Sequence, residues 1–474
     1  MRQTKTLFFI ILSVAFCLFS SCSDDDKDNG SSLTDNEYVN NWIYTQMNEW
    51  YLWNANMPTS PNADITPDVF FENLLYQQED RFSFAVSNYS ELIDWTNNVS
   101  TDVGFEYYTI VDDNNIPQYY IIVYVKPDTD AQTKGLQRGD KISAVNGVSL
   151  TSDNYSTLLN GASSYALTIE GKAEAVSINT MTNYPENPIL YSNIYTEGSK
   201  KIGYLVYNAF TQDNGDGSGD YDAALMAKLQ EFYDANITDL VLDLRYNGGG
   251  LVQSAQYLAS GLVKNRDSKN IFVKNEYNAN ITEEINQMSS SRQDEWLYSY
   301  FLDKYTINRK SVSIPRLGDK ISKVYILTGK YTASASELII NGLKPYMDVE
   351  LIGRTTYGKN VASISLYEEK DSRNKWGLQP IIMKMYNNDN QSDYTQGFTP
   401  TIEINEFGYE MKQLGDTEEI LLKTAIEQIS GTQSPALRAL PLKQDGISPA
   451  ARRKGALDMF IDNSRIKELS RNIQ

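Results

Sequence analysis

The chain has 474 residues with 61 acidic and 42 basic side chains, a formal net charge of −19. That balance disfavours nucleic-acid binding, which needs clustered Lys and Arg to neutralise phosphate, and the length implies two or three domains rather than one core. There is no histidine, and the two cysteines, Cys17 and Cys22, lie near the N-terminus. Ser-His-Asp and Cys-His chemistry, His-ligated zinc and thiolate metal sites in the body of the chain are thereby excluded. No P-loop or dinucleotide fingerprint is present, so no cofactor and no metal is expected.

Arg2 and Lys5 precede an apolar stretch, Leu7 to Phe19, that is too short for a stable membrane span. Residues 1–21 read as an export signal. Its end, Phe19-Ser20-Ser21-Cys22, resembles a bacterial lipobox, which makes Cys22 the expected lipid attachment site. Residues 22–34, polar and acidic, read as a flexible tether. The lipid anchor makes the cell envelope the expected location, at the bacterial outer membrane on its periplasmic or surface side; the acidic run after Cys22 resembles surface-export signals of some lipoproteins. No later segment is apolar enough to cross a bilayer.

Residues 35–100 form an N-terminal helical region. Tyr38, Trp42, Ile43, Met47, Trp50 and Tyr51 recur at spacings of three and four, and after a break from Pro58 to Pro67 a short helix runs through Phe70, Phe71, Leu74 and Leu75. From 101 to 180 the pattern turns to β: Tyr119 to Val125 is strand-like, Lys141 to Val145 alternates, and Asn146-Gly147 is a hairpin turn. The stretch Gly135-Leu136-Gln137-Arg138-Gly139-Asp140 and the strand after it resemble a PDZ domain of the kind found in proteases. The resemblance puts Val103-Gly104-Phe105 in the peptide-binding loop, where such domains hold a terminal carboxylate.

Strands and helices alternate from residue 190 to 430, as in a layered α/β domain. Ile202 to Tyr207, Leu240 to Leu244, Val324 to Leu327 and Val349 to Ile352 are expected strands; 220–233, 334–345 and a segment from Val252 are expected helices. Residues 265–320 read as a polar, partly helical insertion suited to a lid or substrate path, and 431–474 as a peripheral C-terminal extension.

Thr332-Ala333-Ser334-Ala335-Ser336-Glu337 lies between a strand and a helix, where free N–H groups and the helix dipole favour an oxyanion. Ser334 with Glu337 also has the spacing of a capping box, which accounts for both residues without catalysis. Lys359, in Tyr357-Gly358-Lys359-Asn360, reads on its own as a solvated surface charge. The order strand, Ser, helix, strand, Gly-Lys is a crossover whose ends meet at the carboxyl edge of neighbouring strands, where open α/β sheets place their sites.

In this order the segments resemble the C-terminal processing, or tail-specific, serine peptidases. That resemblance implies an α/β fold: a ClpP/crotonase-like layered core, an inserted PDZ-like β domain and an N-terminal helical region. It makes Ser334 the nucleophile, Lys359 the general base and Glu337 a supporting carboxylate. Asp243-Leu244-Arg245-Tyr246-Asn247-Gly248-Gly249-Gly250 matches the family's "DLRxNxGG" turn, so Gly248 or Gly249, with Ala335, would donate to the oxyanion hole. Asp80-Arg81-Phe82-Ser83, Gly397-Phe398-Thr399-Pro400 and Gly415-Asp416 match further segments. Many members carry Gln four residues after the Lys; here that position is Ser363, which leaves the third partner open between Ser363 and Glu337. The expected partners are protein or peptide substrates engaged through their C-terminal tails, and the rival expectation is a peptide-binding lipoprotein without turnover. A lysine base must lose roughly 3 pK units to work at neutral pH, which demands burial.

Overall fold

The computed structural model describes residues 33–97, 99–307, 310–321, 323–432, 445–449 and 459–461. The expected export signal, Cys22 and most of the tether fall outside them. Among the described residues no helix is long and apolar enough to cross a membrane.

The main sheet has six strands in the order Ile189–Glu197, Lys200–Tyr207, Asp239–Asp243, Val324–Thr328, Val349–Gly353 and Ile402–Glu403. The first pair is antiparallel and the rest are parallel. Helices Asp220–Asp234, Val252–Leu262 and Ala335–Leu343 contribute Leu225, Leu258 and Leu338 to a core that also takes Leu205, Leu242 and Ile326 from the sheet. On the opposite face, Leu421, Leu422 and Ala425 of helix Ile420–Ser430 cover Tyr204, Val241 and Leu327. Alternate residues of each strand thus point into two separate cores, as period-2 geometry requires. This is the expected α/β architecture.

A second sheet runs Gly250–Leu251, Met459–Phe460, Val361–Ser363, Ile381–Tyr386, Ile271–Tyr277, Tyr298–Tyr300. It corrects two expectations. Residues 265–320, expected as a polar insertion interrupting the alternation, contain an internal strand: Ile271–Tyr277 pairs on both sides, and Phe272, Val273 and Trp296 belong to the main core. Those apolar residues are diluted by a polar, largely helical neighbourhood, so the local pattern hides a strand whose partners lie far along the chain. Nor is the C-terminal extension merely peripheral, since Met459–Phe460 lies between two strands of this sheet.

The N-terminal helix Asp35–Trp50 is capped by Thr34 and packs Val39, Ile43 and Met47 against Phe70, Phe71 and Leu74 of helix Pro67–Leu74. The β region is an antiparallel sheet ordered Asp445–Ile447, Phe105–Val111, Pro117–Val125, Lys141–Val145, Ser164–Ile169, Val176–Asn179. Its own core contains Phe105, Tyr120, Ile142, Leu167 and Ile178.

Candidate active site

Strands Val324–Thr328 and Val349–Gly353 are parallel neighbours joined through helix Ala335–Leu343, so Ser334 and the turn bearing Lys359 emerge at the same sheet edge. Ser334 precedes the helix with φ +65° and ψ −118°, a region sparsely populated by residues with a side chain. Such a conformation costs on the order of 1–3 kcal/mol and persists only where its surroundings enforce it. Three contacts do so. The Ala333 N–H donates to the Asn247 carbonyl at 3.3 Å, the Tyr357 N–H to the Thr332 carbonyl at 2.9 Å, and the Ser334 N–H to Glu337 Oε2 at 2.8 Å. Ser334 and Glu337 approach the geometry of a capping box, yet no hydrogen bond caps the helix through the Ser334 hydroxyl. Ser334 Oγ is buried with no hydrogen-bond partner among the described residues.

Glu337 is fully buried and its carboxylate accepts four hydrogen bonds. Oε1 takes the Thr356 hydroxyl at 2.6 Å and the Gly358 N–H at 2.7 Å; Oε2 takes the Ser334 and Lys359 N–H groups, each at 2.8 Å. One carboxylate oxygen therefore holds the backbones of both Ser334 and Lys359. Burial pushes the Glu337 carboxyl up to about 7, against the downward pull of those hydrogen bonds. Glu337, expected as a supporting carboxylate, contacts Lys359 through the lysine's backbone N–H. The chain is pressed tightly here: a Cβ on Gly397 would lie 2.0 Å from the Thr356 carbonyl, and one on Gly358 2.4 Å from the Thr395 carbonyl.

Lys359 is 1% exposed. Burial drives its ammonium well below the ordinary lysine range, and the opposing pull of Asp80 and Glu337 does not offset this. Its Nζ sits 4.7 Å from the centre of the Phe82 ring. The Asp80-Arg81-Phe82-Ser83 segment is anchored around it: Asp80 accepts the Tyr51 hydroxyl and the Phe82 and Ser83 N–H groups, while Arg81 donates to the Gly358 carbonyl at 3.0 Å. The N-terminal region thus supplies one apolar wall around the lysine.

The Asn247–Gly250 turn approaches Ser334 from the next strand. Thr332 donates its hydroxyl to the Leu244 carbonyl and Ser336 donates to the Asn247 carbonyl, at 2.8 and 3.1 Å. The Gly249 N–H is committed to Asn247 Oδ1 at 2.8 Å. That leaves the Gly248 N–H and the Ala335 N–H, the first of its helix and without an intrahelical acceptor, as the available donors. Gly249 and Gly250, at φ +114° and +128°, turn the chain sharply in conformations that favour glycine.

Ser363 follows Lys359 on strand Val361–Ser363, and its Oγ accepts a 2.9 Å hydrogen bond from Gln379 Nε2. Gln379 Oε1 in turn accepts the Ser365 hydroxyl at 2.6 Å. A glutamine therefore reaches the Ser363 position from a distant strand, Gly377–Gln379, which sequence spacing could not have disclosed.

Beneath the turn, Arg245 is fully buried and pairs with Asp243, Glu419 and Glu406 at 2.8, 2.7 and 3.0 Å. Against the upward push of burial, Arg245 and Arg138 draw Glu419 down to about 2. Arg138 arrives from the β domain, pairing with Glu406 at 2.6 Å and donating to the Tyr246 hydroxyl and the Val123 carbonyl. The β domain is thereby tied to the residue next to Asn247.

Within that domain, Val103 and Phe105 line a cavity of about 610 Å³ together with Asp102, Tyr107, Tyr155 and Tyr165. Gly104 has φ +84°, and a Cβ there would lie 2.8 Å from the Thr129 side chain. The Asp102 carboxylate accepts the Gly104 N–H and pairs with buried Lys126 at 2.5 Å, so the loop is rigidly held.

Comparison with known proteins bears on the fold and the family. Residues 201–404 match the model of peptidase family S41, and residues 38–84 match the peptidase S41 N-terminal domain. The carboxyl-terminal-processing peptidase 1 of Arabidopsis thaliana is 25% identical over 257 residues, covering 52% of this chain and 44% of that protein. The carboxyl-terminal-processing protease of Picosynechococcus is 23% identical over 262 residues, 53% of each chain. The chain thus spans about half the length of the curated relatives it matches. A Bacteroides fragilis crystal structure assigned to the S41 proteases superposes with a TM-score of 0.64 at 29% identity, covering 83% of this chain and 98% of that one. Two matched segments of the same family, lying in order on the fold that carries the Ser334–Glu337–Lys359 arrangement, show that this chain belongs to peptidase family S41.

Proposed function

We propose that the chain is a serine peptidase in which Ser334 attacks the peptide carbonyl and Lys359 acts as general base. The observation that carries this reading is the single Glu337 oxygen that holds the Ser334 and Lys359 backbones together while Lys359 is buried against Phe82. A desolvated lysine favours its neutral amine, which can accept the Ser334 proton. The developing oxyanion is then met by the Gly248 and Ala335 N–H groups. Lys359 returns the proton to the leaving amine, an acyl-enzyme remains on Ser334, and Lys359 next activates the water that releases the product. The Gln379–Ser363 pair fixes the strand that follows the lysine.

The substrates in this reading are unfolded proteins or C-terminal tails; the Arabidopsis and Picosynechococcus relatives are named for carboxyl-terminal processing, which supports the second. The β domain would act as a PDZ-like module that captures a tail beside the Val103–Phe105 loop, a role supported by the adjoining cavity. Cys22 would carry the lipid that holds the enzyme in the cell envelope. The test compares the parent, Ser334→Ala and Lys359→Ala on an unfolded protein substrate. Cleavage by the parent alone, with both variants folded, is expected. A parent that binds tail peptides without cutting any substrate would mean a binding protein on this scaffold.

A further inference from the structure

Two short stretches of the chain's own C-terminal segment pair with strand edges of the β domain and of the catalytic domain. Residues Asp445–Ile447 pair antiparallel with Phe105–Val111, in the register Asp445 to Val111, Gly446 to Ile110 and Ile447 to Thr109. This is strand addition at the outer edge of the β domain, on the strand that begins within the Val103–Phe105 loop. Pro449 contributes to the wall of the 610 Å³ cavity beside it. The contact is specific. Asp445 pairs with Lys330 at 2.7 Å and lies 3.6 Å from Arg354, both from the catalytic domain. Gly446 fits so closely that a Cβ would lie 2.6 Å from the Phe407 ring and 2.7 Å from that of Tyr108.

Further on, Met459–Phe460 lies parallel between two short strands. Gly250 pairs with Met459 and Leu251 with Phe460 on one side; Ser363 pairs with Phe460 on the other, and the Ile461 N–H donates to the Ser363 carbonyl at 3.1 Å. Phe460 and Ile461 are buried. Strand Gly250–Leu251 leaves the Gly248–Gly249 turn directly, and Val361–Ser363 begins two residues after Lys359. The segment therefore fills the gap between the strands that leave the two halves of the catalytic arrangement. A polypeptide bound there by strand addition would use the same backbone edges.

We propose that Asp445–Ile447 and Met459–Phe460 are tethered, substrate-like ligands of two peptide-binding edges, and that an incoming polypeptide must displace them before it is cut. The inference rests on the peptidase reading for its consequence and on the strand pairings for its geometry. A tethered segment competes at an effective concentration in the millimolar range, so weakening its hold should lower the concentration of peptide needed to bind by tenfold or more.

The test uses the full chain in a Ser334→Ala background, with and without the paired substitutions Asp445→Lys and Gly446→Val. These oppose Lys330 and crowd Phe407. A second variant, Phe460→Asp, loosens the other contact independently. The probe is a fluorescent peptide with the sequence of residues 445–461, followed by anisotropy. At least tenfold tighter binding in either tail variant than in the Ser334→Ala chain is expected. Equal affinity in all three, or no binding to any, would overturn the proposal. The same tail substitutions with Ser334 intact should raise kcat/KM on an unfolded protein, chiefly through KM. If no chain cleaves but the affinity difference holds, the peptidase reading fails and the tethered-ligand proposal stands. If cleavage is robust and insensitive to the tail substitutions, and affinities are equal, the reverse is true.

Discussion

The state of Lys359 is open to a thermodynamic test that needs no substrate. A lysine driven below its ordinary value of 10.5 by burial gives up a proton on folding that the unfolded chain retains. Each pH unit between the folded and unfolded titrations then costs about 1.4 kcal/mol. An assay at pH 8 lies roughly 2.5 units below that ordinary value, so keeping a lysine neutral there costs about 3 kcal/mol relative to the unfolded chain. Lys359→Met keeps the length and apolar stem, still packs against Phe82, and removes the cost. The sign follows from proton binding: the unfolded parent holds more protons, so the parent gains stability as pH rises towards 10.5, while the variant gains nothing from this group. Lys359→Met should therefore be the more stable protein at pH 8, by up to about 3 kcal/mol, with the advantage shrinking to nothing near pH 10.5. Urea unfolding of the two chains at pH 7, 8, 9 and 10 reads the difference, and other titrating groups cancel between them. An advantage that does not vary with pH, or a variant less stable than the parent at pH 8, would mean that Lys359 is charged in the native state and cannot serve as the base.

Three further predictions follow from particular contacts. Burial pushes the Asp222 carboxyl up to about 7, so its folded form is favoured at low pH and that benefit is lost as pH rises through 7; Asp222→Asn should stabilise the chain at pH 8 by up to about 4 kcal/mol and much less at pH 4, read from urea midpoints. Arg138→Met leaves Glu406 with one guanidinium fewer in a buried cluster and should cost about 3–5 kcal/mol, with loss of cleavage at temperatures where the variant is still folded by circular dichroism. Gly397→Ala places a methyl group against the Thr356 carbonyl and so disturbs the hydroxyl that Glu337 accepts; kcat should fall at least a hundredfold while KM changes little, and an active variant with normal kcat would argue against Glu337 as the organiser of the site.

The α/β alternation was legible in the sequence because each parallel strand is apolar on both faces, and the local pattern of Val324–Thr328 or Asp239–Asp243 reports that directly. Ser334, Lys359 and the glycine turn were singled out by the order of their motifs and the family resemblance, since read alone Ser334 is a helix cap and Lys359 a surface charge. The chemistry also demanded a buried lysine, though nothing local to Tyr357-Gly358-Lys359 says what would bury it; Phe82 does so from 277 positions away in the chain. Gln379 was invisible for the same reason. The polar flanks of Ile271–Tyr277 disguised an internal strand, and the short strands of the C-terminal segment have too few residues to show a period. What the sequence withholds is pairing between distant segments, since neither propensity nor spacing encodes a partner.

The arginine cluster under the glycine turn bears on when activity can first appear. Its members, Arg138, Asp243, Arg245, Glu406 and Glu419, are drawn from the β domain, the middle of the catalytic domain and its last strands and helices. A buried Arg245 without Glu419 and Glu406 would keep only Asp243 as its counter-charge, so the turn beside Ser334 lacks part of its support until residues past 419 have been made. During synthesis, when the growing chain lies among other unfolded polypeptides, Ser334 exists in sequence well before the surroundings that would arm it in the proposed mechanism. Folding order alone would then keep the immature chain harmless to its neighbours.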